Sequence, residues 1–160
     1  MAQIQPTDVE TLARLGTALL CGGAIGLERD YRQLPTGFRT MGLVCLGSCI
    51  AVLAAIKAGD SDGFSRVAQG IVTGVGFLGA GVIFQKGETW DVKGLTTAAA
   101  IWFTAAVGLL CGLGELRTAA MATLIAVLVL ISDIIIDKAF ARWRKPHSSI
   151  PCDDPINKSK

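Results

Sequence analysis

The sequence predicts an all-α integral membrane protein, a bundle of about five transmembrane helices, from its composition and from the spacing of its charges. Of 160 residues, 51% are hydrophobic and 18% are charged, and the mean hydropathy is +0.52. Soluble domains carry about 25% charged residues. Charged side chains bound five uncharged runs, at 15–27, 40–56, 67–85, 94–114 and 118–132. A soluble fold would lack the polar surface to cover five such runs, so lipid is expected around them.

The length of each run decides how readily it crosses a bilayer. A helix needs roughly 20 apolar residues to cross a hydrocarbon core of about 30 Å. The third and fourth runs meet this length alone, whereas the others borrow flanking residues, with Arg14 and Lys57 reaching outward to the interface. The predicted helices lie near 9–27, 40–56, 67–85, 94–114 and 118–137, within a transmembrane domain of residues 1–145. Residues 146–160 are polar and contain three prolines, which predicts a disordered cytoplasmic tail.

The distribution of basic residues predicts the orientation. With five helices and the N-terminus outside, the inner segments carry eleven Lys and Arg residues and the outer segments carry four. This bias follows the positive-inside rule and predicts a multi-pass protein of a bacterial inner membrane with a cytoplasmic C-terminus. The first eleven residues contain Asp8 and Glu10 but no Lys or Arg, so the first hydrophobic run is interpreted as a retained helix rather than a signal peptide.

Glycines recur at four-residue spacing, which places each pair on one helical face. In lipid, small residues at such spacing let helices approach closely, so we interpret them as helix-packing positions. The pairs are Gly22 with Gly26, Gly70 with Gly74, Gly76 with Ala80, and Gly108 with Gly112, and Gly79 and Gly81 of the same glycine-rich segment join this set. The segment 74–81 has four glycines in eight positions, which predicts a helix that is either tightly packed or locally unwound to form a site.

Nothing in the sequence predicts catalysis, a cofactor or a metal site. The five cysteines have no Cys-x-x-Cys spacing, the phosphate-binding loop motif is absent, and the single histidine, His147, lies in the predicted tail. We therefore expect a protein that is not an enzyme. The basic residues at 142–145 flank Trp143, which is typical of an interface with anionic lipid head groups and fits nucleic-acid binding poorly.

Polar residues gather at the predicted inner boundary of the helices and form the candidate functional or partner-binding set. They are Glu28, Arg29, Arg39, Thr40, Thr96, Thr97 and Asp133. Glu28 and Arg32 are four residues apart and can pair if the first helix continues past the membrane. Asp133 is costly if it lies deep in the bilayer, so it is expected either to face the bundle or to sit at the inner interface.

The threonines of this set allow two interpretations. Thr40 and Thr96 or Thr97 fit the N-caps of the second and fourth helices, where they would satisfy backbone donors that lipid cannot satisfy. Alternatively, the two helix N-termini beside Arg39 form a positive patch for an anion, a lipid head group or an acidic segment of a partner.

Four motifs, in order and spacing, resemble the MgtC/SapB family of bacterial membrane proteins. They are Gly-Leu-Glu-Arg at 26–29, Gly-Phe-Arg-Thr at 37–40, the glycine-rich segment 74–84, and Gly-Leu-Thr-Thr-Ala-Ala at 94–99. The resemblance implies adaptation to low magnesium and, in intracellular pathogens, survival in macrophages. It also implies action through binding other inner-membrane proteins, including the proton-driven ATP synthase.

The chain also departs from the family pattern. Longer members carry a soluble cytoplasmic domain after the fifth helix, so this chain is expected to be a short form. Thr96 and Phe103 stand where some virulence-associated members have Asn and Cys, so the chain departs from the pattern of those members at two positions, while a link to intracellular survival stays among the expectations. We expect a non-enzymatic regulator that binds the lipid bilayer and another inner-membrane protein but no nucleic acid. The alternative is a homo-oligomeric transporter or channel for magnesium or another ion.

Overall fold

The computed structural model describes residues 6–59, 62–85 and 92–140. Its helices, in chain order, are α1 (Asp8–Tyr31), α2 (Phe38–Lys57), α3 (Gly63–Val82), α4 (Leu95–Leu113) and α5 (Leu116–Phe140). The predicted all-α class is confirmed, and each helix overlaps the range predicted for it. A short antiparallel ladder between α3 and α4, not predicted, joins β1 (Phe84–Gln85) to β2 (Val92–Lys93).

The chain divides into two compact units, Met1–Leu130 and Ile131–Lys160. Within the second unit, the structure describes the last ten residues of α5 as helix. The predicted tail 146–160 and the basic residues 142–145 lie outside the described residues. The packing described below belongs to the first unit.

Two local signals and one contact between distant residues satisfy or shape the ends of the helices. Thr7 and Glu10 form a capping box at the start of α1, with the Glu10 N–H donating to Thr7 Oγ1 at 3.3 Å and the Thr7 N–H donating to Glu10 Oε2 at 2.9 Å. Gly94 precedes α4 with a φ of 94°, a left-handed conformation that favours glycine, and a side chain there would also strike the Val82 carbonyl. Arg14 Nη1 donates to the Gly112 carbonyl at 2.8 Å, which satisfies an acceptor in the last turn of α4.

Two apolar clusters fill the bundle, and α4 contributes to both. The first cluster is made of Ala18, Cys21, Cys45, Cys49, Leu53, Val107, Cys111 and Ala119. The second is made of Ile25, Met41, Val75, Ala100, Ile101, Ala105 and Leu130. Buried residues of α1, α2, α4 and α5 appear in both clusters, whereas α3 contributes Val75 to the second cluster only.

Glycines of α1 and α4 make the closest contacts with α2. A Cβ placed on Gly22 would lie 2.6 Å from the Met41 carbonyl oxygen, and one on Gly112 would lie 2.6 Å from Val52 Cβ. A Cβ on Gly26 would overlap the backbone of Gly37 and Phe38 at the start of α2, and one on Gly108 would overlap the Cys45 carbonyl in α2. A side chain at any of these positions would force the helices apart.

The glycines of α3 behave differently. Gly70, Gly74, Gly76 and Gly81 have no atom within 4 Å of an added Cβ, and Gly79 makes only ordinary van der Waals contact with Ala98. The helix is continuous from Gly63 to Val82, so the unwound alternative for segment 74–81 is wrong. Tight packing of these glycines inside the chain is not observed either, and their helix-packing role stays a prediction.

The outer surface of the bundle is rich in apolar side chains. Helices α2 and α4 are long and apolar enough to cross a membrane, and α5 contains a shorter apolar stretch, Leu116–Ser132. Large hydrophobic side chains are exposed on every helix of the first unit, for example Leu20, Leu43, Phe77, Trp102 and Leu124. Such a surface fits a lipid environment.

The close contact at Gly22 predicts a specific loss of stability. Gly22→Ala should lower the free energy of unfolding by about 1–3 kcal/mol, because the methyl group overlaps the α2 backbone and the helices must separate. Gly16→Ala, on the same helix but with open space around it, should be neutral or stabilising by up to about 1 kcal/mol. Unfolding by sodium dodecyl sulfate in mixed micelles, followed by tryptophan fluorescence, measures both. Equal effects of the two variants would contradict the packing.

Candidate functional site

A buried ionic cluster lies at the C-terminal end of α1. We call Glu28, Arg29, Arg32 and Thr97 the arginine–glutamate cluster. Arg32 Nε lies 2.6 Å from Glu28 Oε1, which confirms the pair predicted from their spacing. Arg29 Nη1 lies 4.0 Å from the other carboxylate oxygen of Glu28. The Glu28 side chain is 7% exposed and Arg29 is 2% exposed, so these charges are largely removed from solvent.

Arg29 links α1 to the first turn of α4. Its Nη2 donates to Thr97 Oγ1 at 2.5 Å, and Thr97 is only 3% exposed. A buried guanidinium needs such partners, since an unpaired buried charge is strongly destabilising. The structure therefore brings together Glu28, Arg29 and Thr97, three of the residues selected from the sequence.

Arg32 extends the cluster to α5. Its Nη2 donates to the Leu130 carbonyl oxygen at 2.6 Å, while its Nε faces Glu28. Arg32 is 21% exposed and so lies at the edge of the cluster. One guanidinium thus contacts both its own helix and α5.

The turn between α1 and α2 is fixed by Asp30. The Asp30 carboxylate accepts the Phe38 N–H at 2.8 Å, and a side chain at Gly37 would collide with that carboxylate. The first backbone donor of α2 is therefore satisfied from the end of α1 rather than from within α2.

The N-cap interpretation of the threonines is wrong. The N-cap of α2 is Gly37 and that of α4 is Gly94, and neither uses a side-chain cap. Because each helix begins directly after its glycine, Thr40 and Thr97 are the third residues of their helices, too late to cap them. Thr97 instead binds Arg29.

The remaining candidates are dispersed. Arg39, Thr40 and Thr96 are exposed on the first turns of α2 and α4 and are not part of the cluster. The positive patch around Arg39 stays a prediction. Asp133 lies in α5, but its side chain is outside the described part of the structure.

Sequence reasoning overlooked some members of this region. The spacing of Arg32 predicts its pairing with Glu28 but not its bond to α5, and nothing in the sequence marks Asp30, because its contact with Phe38 depends on a chain reversal. Thr36 is buried, and its hydroxyl has no hydrogen-bond partner among the described residues. No local pattern marks it, since an isolated threonine beside a proline is typical of any turn.

The cysteines lie in the apolar core. Cys21, Cys45, Cys49 and Cys111 are free and buried. They belong to one cluster, where thiols pack as small hydrophobic groups. Across the described ranges, no group of three or more His, Cys, Asp or Glu residues could hold a metal ion.

Two apolar grooves open on the surface of the bundle. The α4–α5 groove has a volume of about 730 Å³, and its lining includes Ile25, Thr96, Trp102, Phe103, Ala126 and Leu130. The α2–α3 groove has a volume of about 380 Å³, and its lining includes Leu43, Gly47, Ile71, Gly74, Val75 and Leu78. The first groove ends beside the arginine–glutamate cluster, since Leu130 accepts a hydrogen bond from Arg32.

The contact between Arg29 and Thr97 can be tested with a near-isosteric change. Thr97→Val should reduce the free energy of unfolding by about 2 kcal/mol, because a buried guanidinium loses a hydrogen-bond acceptor. Thr96→Val, the same change at the adjacent exposed position, should have an effect within about 0.5 kcal/mol. Denaturation in mixed micelles compares the two, and similar values would show that the hydroxyl of Thr97 does not support Arg29.

Comparison with known proteins places the chain in a family. Residues 15–138 match the MgtC family. Protein MgtC of Brucella abortus is 45% identical over 138 residues, covering 84% of this chain and 57% of the relative. Protein MgtC of Salmonella typhimurium is 42% identical over 132 residues, covering 82% and 54% respectively. No solved structure matches the chain.

The chain thus spans little more than half the length of the curated relatives it matches. The matched region contains all of the arginine–glutamate cluster and both grooves. With the family match covering most of the chain and two relatives above 40% identity, the chain belongs to the MgtC family and is a membrane protein.

Proposed function

We propose that this protein is a non-enzymatic regulator that binds a transmembrane helix of another inner-membrane protein and acts in adaptation to limiting magnesium. Its family membership and the name MgtC of its relatives support the general role. The exposed glycine face of α3 is the observation that supports helix binding.

That face is open in the folded chain. Only Gly63, Val75 and Gly79 are buried among the twenty residues of α3. Gly70 and Gly74 lie one turn apart with open space above them, and Phe77 is 82% exposed beside them. A helix from a partner could therefore bring its backbone close to α3 without displacing a side chain of this protein.

The physical setting favours such contacts. Lipid provides no hydrophobic drive for helix association, so close van der Waals packing at small residues supplies most of the attraction. The α2–α3 groove, with Gly47 on one wall and Gly74 on the other, offers a shallow seat for a second helix. Because Gly74, the α3 glycine that lines this groove, is not used for packing within the chain, the groove stays open to a second helix.

The rest of the bundle acts as a rigid support for that face. Glycine contacts join α1 and α4 to α2, and the arginine–glutamate cluster ties α1 to α4 and α5. Neither set of contacts uses the exposed side of α3. Partner binding can therefore be disturbed on α3 without disturbing the fold.

The first test uses two glycine variants of matched size. Gly74→Leu should reduce crosslinking to the partner by tenfold or more and impair growth in limiting magnesium, because the new side chain fills the seat. Gly16→Leu, at an equally open position on α1, should leave both properties unchanged. The strain used should lack its own protein of this family, and both variants should reach wild-type levels in the membrane.

Several results would contradict the proposal. Equal crosslinking and growth of the two variants would show that α3 is not the binding face. Repeated failure to capture any membrane protein would contradict the proposal that the protein is a regulator. Magnesium flux into liposomes that contain only the purified chain would instead favour a transporter.

We also propose that all five helices span the inner membrane, with the N-terminus outside and the C-terminus in the cytoplasm. The bias of basic residues supports this orientation. A phosphatase fused after residue 160 should be inactive, and a fluorescent protein fused there should be bright, since each folds in one compartment only. A phosphatase fused after Gly59, in the predicted outer loop, should be active. The opposite pattern would reverse the topology.

A further inference from the structure

We propose that the α4–α5 groove binds one acyl chain of an anionic phospholipid, whose phosphate head group is held at Arg32. This site is distinct from the α3 face, and it rests on the proposed function only in taking these helices as membrane-spanning. The argument begins with the shape of the groove.

The groove has the size and surface of a hydrocarbon site. Its volume of about 730 Å³ falls within the roughly 300–1,000 Å³ of ligand-binding clefts. Apart from Thr96, its described lining residues are apolar, with Trp102 and Phe103 on α4 facing the small residues Ala122 and Ala126 on α5. Apart from the Thr96 hydroxyl, such a lining has no polar side chain that a hydrocarbon chain would desolvate.

The length of the groove fits one leaflet. Along α5 it runs from Ala122 to Leu130, eight residues, which corresponds to about 12 Å of helix. A single leaflet contributes about half of a hydrocarbon core of roughly 30 Å. The groove is therefore long enough for most of one acyl chain and too short to cross the membrane.

The end of the groove carries the charge that selects the lipid. Leu130 lines the groove, and its carbonyl accepts a hydrogen bond from Arg32 Nη2 at 2.6 Å. Ile25, also in the lining, lies one helical turn before Arg29. On α4, Thr96 lines the groove, and the next residue, Thr97, binds Arg29. Three helices thus place the arginine–glutamate cluster at the same end.

Arg32 is suited to a phosphate. It is the most exposed arginine of the cluster, and a guanidinium presents five N–H donors in a planar fork that matches phosphate oxygens. Glu28 Oε1 lies 2.6 Å from its Nε, and this ion pair keeps the guanidinium at the end of the groove. A basic residue near a lipid surface favours anionic over zwitterionic head groups by about fivefold.

Trp102 provides a direct probe of the groove. The double variant Trp90→Phe, Trp143→Phe leaves Trp102 as the single tryptophan, which is excited selectively at the red edge of its absorption band. This parent is placed in phosphatidylcholine vesicles. One series contains increasing fractions of phosphatidylglycerol with brominated acyl chains, and the other contains increasing fractions of phosphatidylcholine with brominated acyl chains. Bromine quenches tryptophan on contact. Half-maximal quenching should need about fivefold less brominated phosphatidylglycerol than brominated phosphatidylcholine.

Two alanine variants of the same parent test the location. Ala126→Phe fills the groove and should raise the half-quenching fraction of phosphatidylglycerol to that of phosphatidylcholine. Ala120→Phe, at an exposed position on α5 outside the groove, should keep the fivefold preference. Arg32→Gln should abolish the preference while leaving quenching by phosphatidylcholine intact, and the alanine pair decides the location even if this variant does not fold.

Each other outcome overturns the proposal. Equal quenching by both lipids in the parent shows that the head group is not selected. A preference for phosphatidylglycerol that survives Arg32→Gln shows that Arg32 does not hold the head group. Identical behaviour of Ala126→Phe and Ala120→Phe shows that the lipid does not bind in the groove. No quenching by either lipid shows that protein, such as a second copy of the chain, covers Trp102. Because the vesicles contain this chain alone, none of these results depends on whether a regulated partner exists.

Discussion

The bundle depends on backbone contact at a few glycines. Where Gly22 and Gly112 face α2, a single methyl group would overlap its atoms, so α1 and α4 can lie against α2 only because these residues have no side chain. In lipid, where burial of apolar surface gives no advantage over the surrounding tails, this proximity supplies the packing energy. The same proximity brings the end of α1 to the start of α4 and allows Arg29 to reach Thr97.

Features that depend on the spacing of residues along one helix could be predicted from the sequence. Within the described ranges, the five helices follow from charge spacing. The pairing of Glu28 with Arg32 and the packing positions on α1 and α4 follow from residues four apart. These features depend on one helix at a time. Helical periodicity is therefore enough to predict them.

Features that join distant segments could not be predicted in the same way. The contact between Arg29 and Thr97 spans 68 residues, and Asp30 replaces the expected threonine cap of α2 only because the chain reverses. Spacing also cannot tell an inward glycine from an outward one. Gly108 and Gly70 are each followed by a glycine four residues later, yet Gly108 contacts α2 and Gly70 faces open space.

Two arginines on α1 have a mechanical consequence. Arg14 binds Gly112 and Arg29 binds Thr97, so fifteen residues separate the two anchor points on each helix, about 22 Å along both axes. The helices run in opposite directions and are held at both ends in matching register. Axial sliding by one turn would break both anchors together, so piston-like movement of α1 along α4 is strongly disfavoured. The two anchors leave tilting, rather than sliding, as the movement open to α1 relative to α4.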